Sequence, residues 1–166
     1  YYKTFMWPAS FWEKYEFFIR HSAGLGKSPT EKDPDIYDHR YIHCDVLVVG
    51  AGISGILAAK NAAKNNFKTL LIDEKNELGG ATIYQNKEFN KIDNKSSSDW
   101  IKKEINELKD IANLEVKTRT TVAAYHGYNY LLARENLTDH LEKKDKNNKV
   151  RQRLLKIRAK KVILAT

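Results

Sequence analysis

Residues 50–55 read Gly50-Ala51-Gly52-Ile53-Ser54-Gly55, three glycines in the spacing G-x-G-x-x-G, and an acid, Asp73, follows with Glu74 beside it. These residue types in this order suit the ADP half of a dinucleotide. Gly50 lets the chain turn sharply, Gly52 removes the side chain that would hold a pyrophosphate off the backbone, and Gly55 lets the next helix pack close to the sheet. Unpaired amides at the start of that helix, Ala51 to Gly55, then receive phosphate oxygens. An acid about 20 residues on accepts hydrogen bonds from the adenosine ribose. Asp73 is favoured over Glu74 because it closes an apolar run. A carboxylate there repels a 2′-phosphate, which disfavours NADP and leaves NAD and FAD. Both carry the ADP half, so the fingerprint does not separate them.

The glycines need a strand before them and a helix after. Val46-Leu47-Val48-Val49 is the continuous apolar run of a central parallel strand covered on both faces. The alanine-rich stretch 53–64 predicts a helix, and Lys68-Thr69-Leu70-Leu71-Ile72-Asp73 a second strand, completing a βαβ unit. Read instead as an ordinary strand-to-helix turn, the segment leaves Asp73 a coincidence. Gly79-Gly80 sits where such domains bring backbone close to the ribose and pyrophosphate, unless it is a plain loop. Thr121 and Val122 lie where they bring backbone near the adenine, by fold-level analogy. Leu164-Ala165-Thr166 resembles the start of an A-T-G stretch that crosses beneath the dinucleotide.

The remaining elements follow from periodicity. Ser-Asp capping before Trp100, Ile101, Ile105, Leu108 and Ile111 predicts a second helix. Segments 114–119, 120–126, 130–134 and 154–159 read as extended chain forming an antiparallel meander, with Gly127 a turn, and 161–165 as a separate buried strand returning to the main sheet. Trp12, Tyr15, Phe18 and Ile19 recur at helical spacing over 10–21, with an aromatic stripe suited to packing on a neighbouring domain. The expected architecture is α/β: a Rossmann-like, three-layer dinucleotide-binding domain of flavoprotein type with an antiparallel β-meander insertion. Residues 1–44 are assigned to a connector and 45–166 to the domain, incomplete at its C-terminal end.

Other chemistry is poorly served. The 166 residues are 42% hydrophobic and 30% charged, enough apolar material for one core. Val46 to Ala59 is the longest uncharged stretch, short of the roughly 20 apolar residues that span a bilayer, so no membrane partner is expected. The opening lacks the pattern of a secretory signal, which favours a cytoplasmic location. A single cysteine, Cys44, forms no internal disulfide and reads as a buried small hydrophobe. His21, His39, His43, His126 and His140 have neither metal-site spacing nor an adjacent nucleophile, so neither a metal nor a catalytic residue is assigned. Asn136-Leu137-Thr138 matches a glycosylation sequon without meaning in that compartment. The net charge of +8 is dispersed. Its densest stretch, 143–161, contains a polar turn and then an alternation typical of a strand with a solvated basic face, second a docking surface for an acidic partner, and last a nucleic-acid site.

The chain resembles an internal portion of the alpha subunit of heterotetrameric sarcosine oxidase. The likeness is carried by Tyr2-Lys3-Thr4-Phe5-Met6-Trp7-Pro8, Ile19-Arg20, Ala23-Gly24-Leu25-Gly26, Asp33-Pro34-Asp35, the entry from His43 to Gly50, Thr138-Asp139-His140, Arg151-Gln152-Arg153-Leu154 and Arg158-Ala159-Lys160. It implies that 1–44 bridges from a ferredoxin-like domain into the dinucleotide domain. It implies a complex with beta, gamma and delta subunits that oxidatively demethylates sarcosine to glycine, with hydrogen peroxide and formaldehyde or a one-carbon unit on tetrahydrofolate as the other products. FAD and covalent FMN would lie elsewhere in that complex, and this domain would hold NAD without hydride turnover, through Gly50, Gly52, Gly55, Asp73, Gly79 and Gly80. Ile53-Ser54 departs from the Pro-Ala pair common there. Two other readings compete: an FAD-dependent oxidoreductase of another amine or amino acid, and an assembly subunit with a vestigial Rossmann-like domain.

Overall fold

The computed structural model describes residues 7–26, 30–84, 91–92, 94–142 and 149–166. Most of the Tyr2 to Trp7 motif and most of the polar turn at 143–149 lie outside them. Two units form, Tyr1–Pro34 and Asp35–Thr166. In the first, a 3-10 turn over Ala9–Phe11 leads into helix α1, Trp12–Ser22. It ends where Gly24 adopts a φ of +67° and the amides of Gly24 and Leu25 donate to the carbonyls of His21 and Arg20. Of the expected stripe, Phe18 is 68% exposed, and Trp12 and Ile19 are exposed as well.

In the second unit one six-stranded sheet has the order β5-β2-β1-β8-β7-β6. Its parallel part comprises β1 (Ile36–Val49), β2 (Thr69–Ile72), β5 (Leu114–Lys117) and β8 (Val150–Leu164). β6 (Thr120–His126) and β7 (Tyr130–Asn136) continue it antiparallel from β8. Helix α2 spans Ile53–Lys64 and α3 spans Ser97–Leu108, where the Ser96 hydroxyl accepts from the Asp99 amide as the expected cap. Two short strands, β3 (Lys91–Ile92) and β4 (Lys95–Ser96), pair just before α3.

Alternate residues of the parallel strands feed two cores, which is why their sequence is continuously apolar. Val46, Val48 and Leu71 pack with Ile56 and Ala59 of α2 and with Ile101 and Leu108 of α3. Leu47, Val49, Leu70 and Ile72 pack with Leu131 and Ala133 of β7 and Leu155 and Ile157 of β8. The layers are therefore helices, parallel strands and meander, the expected three-layer α/β arrangement.

Three sequence expectations need correction. Residues 36–44, assigned to the connector, belong to β1 and pair with β8 from Ile36 onward. Polar alternation hid this strand, because Tyr37, Tyr41 and His43 face out while Asp38 faces an ion network. Segment 114–119 is not part of the meander; β5 pairs parallel with β2, at the far side of the sheet from β7. The expected strands 154–159 and 161–165 are one strand, β8, whose end is open rather than buried. Leu164 is 61% exposed because β7 leaves β8 at Arg158, so the last residues pair with β1 alone.

Charges tie the layers together. Glu135 of β7, 8% exposed, accepts from Lys117 of β5 at 3.0 Å and from Arg153 of β8 at 3.2 Å, and Arg153 reaches Asp38 of β1 at 2.8 Å. The Arg153 hydrogen bond holds the Asp38 carboxyl below the usual carboxylate range. Cys44 lies in the core beneath, its thiol pushed up to about 11 by burial. On the other side, Lys60 of α2 pairs with Glu104 and Glu107 of α3.

Two expectations follow. Glu135→Ala leaves the cations of Lys117 and Arg153 without their shared carboxylate, so the domain should lose about 3 kcal/mol, within the range for breaking a buried ion pair. Urea midpoints measure this, and a shift equivalent to under about 0.5 kcal/mol, the size of an ordinary surface substitution, would refute it. The Cys44 thiol should resist a disulfide reagent at neutral pH in native protein and react at once in denaturant, because it is buried and the thiolate is scarce.

Candidate dinucleotide site

The chain leaves β1 at Gly50, whose φ of +98° only glycine adopts readily. A Cβ there would stand 2.5 Å from the Ala165 carbonyl oxygen, because Ala165 and Thr166 pass directly beneath, held by the Ala165 amide on the Val49 carbonyl at 2.8 Å. Gly55, one turn into α2, is tighter still: a Cβ would lie 1.8 Å from the Gly50 carbonyl oxygen. The helix thus starts against the strand end, and both glycines are demanded by the protein's own packing.

Gly52 differs. It is the N-cap of α2, offers no side-chain oxygen to the first turn, and an added Cβ would meet nothing within 4 Å. The first amides of a helix have no intrahelical acceptor. Open space lies in front of bare donors at the positive end of a helix, which is what a phosphate requires.

Asp73 follows directly on β2 and points at this corner. One carboxylate oxygen accepts from the Ala51 amide at 2.6 Å and the other from the Lys75 amide at 2.8 Å. Each oxygen keeps a further lone pair, so the carboxylate is oriented by the protein yet still able to accept from a sugar hydroxyl. The Gly79-Gly80 pair packs onto the same turn. The Gly79 amide donates to the Ala51 carbonyl at 2.7 Å, and Gly80, with a φ of +55°, would bring a Cβ to 3.3 Å from the Gly52 Cα.

These segments enclose a crevice of about 410 Å³, within the range of small-molecule sites. Of the residues singled out from sequence, Gly50, Ala51, Gly52, Asp73, Glu74, Gly80, Thr121, Val122, Ala165 and Thr166 line it. Ile53, Ser54, Gly55 and Gly79 do not. Ile53 joins the helix-side core, Ser54 is exposed, Gly55 sits behind Gly50, and a Cβ on Gly79 would strike the Ile83 side chain at 2.8 Å. Their contribution is packing, apart from the amides of the first helical turn.

Reading the sequence missed Lys75, Ala81 and Thr120, which also line the crevice. Thr120 is placed by its amide on the Asp73 carbonyl at 2.8 Å, a link from the end of β2 to the start of β6. Only the position of Lys75 after the acid signalled it. Among the described residues no group of three or more His, Cys, Asp or Glu side chains could hold a metal ion, and no helix is long and apolar enough to cross a membrane.

Gly52→Val and Gly55→Ala separate binding from folding. The first should leave thermal stability within about 0.5 kcal/mol of the parent, as for a surface substitution, yet abolish dinucleotide retention. The second should destabilise the domain, since Gly50 must move. Stability and bound nucleotide measured on both variants test this, and retention by Gly52→Val would contradict it.

Residues 45–161 match the family model for FAD dependent oxidoreductases. The chain is 40% identical over its whole length to the sarcosine oxidase subunit alpha of Rhizobium meliloti, and 38% identical over 87% of its length to that of Corynebacterium sp. strain U-96. It spans 16% and 15% of those relatives. The L-proline dehydrogenase from P. horikoshii superposes over 84% of this chain and 25% of its own, with a TM-score of 0.56 at 22% identity, a likeness of fold. Matched by that family model over most of its length and by two of these relatives at 38–40% identity, the chain belongs to the FAD dependent oxidoreductases and is a homologue of one stretch of the sarcosine oxidase alpha subunit.

Proposed function

We propose that the crevice binds the ADP half of a dinucleotide whose adenosine ribose carries no phosphate. The orientation of Asp73 toward Ala51 carries this reading. Phosphates rest on the amides around Gly52, the ribose hydroxyls on Asp73, and the adenine beside Thr121 and Val122. When bound, the group supplies a redox ring beyond these residues. The chain's own part is to grip the other end, and no residue of the crevice is assigned a proton or hydride step.

Two dinucleotides carry that half. The match to FAD dependent oxidoreductases supports FAD, and the resemblance to sarcosine oxidase alpha subunits implies NAD. By the same resemblance, the whole protein would work with beta, gamma and delta subunits, oxidising the CH–NH bond of sarcosine, with FMN and FAD elsewhere in the assembly; the lack of a secretory pattern in the opening favours the cytoplasm as the place. Formaldehyde or methylene-tetrahydrofolate and hydrogen peroxide would be the products besides glycine.

Mass spectrometry of cofactors released from the purified full-length assembly identifies the group. The dinucleotide whose content falls by one per chain in Gly52→Val is the one held here. Asp73→Ala should weaken its retention at least tenfold, about the 1.4 kcal/mol of one charge-assisted hydrogen bond. An assembly with no dinucleotide sensitive to Gly52→Val would overturn the proposal.

A further inference from the structure

β1, β8, β7 and β6 bury one face against the parallel strands and leave the other in solvent. Leu131, Ala133, Leu155 and Ile157 point inward, each fully buried. Their neighbours along each strand therefore point outward. Across the outer face, register places Tyr41 beside Lys156 and Arg158 beside Tyr130. These pairs are in contact: the Lys156 ammonium sits 4.9 Å from the Tyr41 ring centre, and the Arg158 guanidinium 5.0 Å from that of Tyr130. Arg134, opposite Leu154, extends the row.

The charge on this face is one-sided. Among the described residues, Arg134, Lys156 and Arg158 make no ion pair with a carboxylate. Nearby acids are engaged elsewhere: Asp45 with Lys160 at 2.7 Å, Asp139 with Arg151 at 2.7 Å, and Glu135 and Asp38 with Arg153 on the inner face. The face is also not merely polar. Tyr41 is 66% exposed and Leu154 40%. Exposed tyrosine and arginine beside an exposed leucine are the composition of a protein interface, where a ring contributes area and a guanidinium a directed charge.

We propose that this outer face of the meander docks the acidic surface of another protein, whose carboxylates pair with Arg134, Lys156 and Arg158 around an apolar contact on Tyr41 and Leu154. A protein fits better than nucleic acid. Base stacking uses bare rings, whereas Tyr41 and Tyr130 are already paired with cations, and three dispersed cations supply few phosphate contacts. A second copy of the chain is disfavoured, since two such faces would oppose like charge. The inference is independent of which dinucleotide the crevice holds.

The test uses the full-length protein purified with its natural partners. Carbodiimide, which joins amines to carboxylates in direct contact, should link Lys156 to an aspartate or glutamate of a different polypeptide, located by peptide mass spectrometry. The double variant Arg134→Glu/Arg158→Glu should reduce co-purification of that polypeptide at least tenfold, with melting temperature and dinucleotide content unchanged. Arg134→Lys/Arg158→Lys, which keeps the charge, should restore most of it. Three results would overturn the proposal: no link from Lys156 to another protein, a link only between copies of this chain, or binding of a fluorescent single-stranded oligonucleotide that the charge reversal abolishes.

Discussion

A backbone crossing with no room for a methyl group governs the rest of the domain. Gly55 approaches Gly50 so closely that an added Cβ would fall inside bonded-like distance of its carbonyl, while Ala165 closes the space below. Helix, strand end and the tip of β8 meet at one point. Because they do, the first turn of α2 faces open space rather than protein, and Asp73 can reach Ala51 across it. The crevice forms around that crossing, lined by the ends of β1, β2 and β8 and by the start of β6.

Glycine in this corner serves two physical purposes. Gly50 and Gly55 satisfy the protein's own packing, and Gly79 likewise clears the Ile83 side chain. Gly52 clears space that no protein atom uses. A motif written as three equivalent letters therefore joins two positions demanded by packing to one that fronts open space.

How much was legible in the sequence depended on how far each signal was local. The βαβ unit, the α3 cap at Ser96 and the orientation of Asp73 rest on short-range pattern, and the first two emerged where expected. β1 was read nine residues too short, since 36–44 alternate between a wet face and an ion network. Periodicity alone sees such a strand as polar chain. The meander was half right: β6, β7 and β8 form it, but the placement of 114–117 on the opposite side of the sheet is a matter of pairing, which composition does not encode. Lys75 and Thr120 escaped notice because loop residues acquire a role only from where the fold brings them.

β1 and β8 are the two longest strands, and both serve two layers, being central to the parallel sheet at one end and carrying the meander at the other. Each layer adds two strands of its own to that shared pair, β2 and β5 on one side and β6 and β7 on the other. β7 pairs with β8 only as far as Arg158, while Ala165 is held on Val49 beside Gly50, so the same two strands carry the meander and the crevice on successive stretches. Under the proposed reading, a nucleotide lying between Gly52 and Val122 would bridge the parallel part of the sheet and the meander.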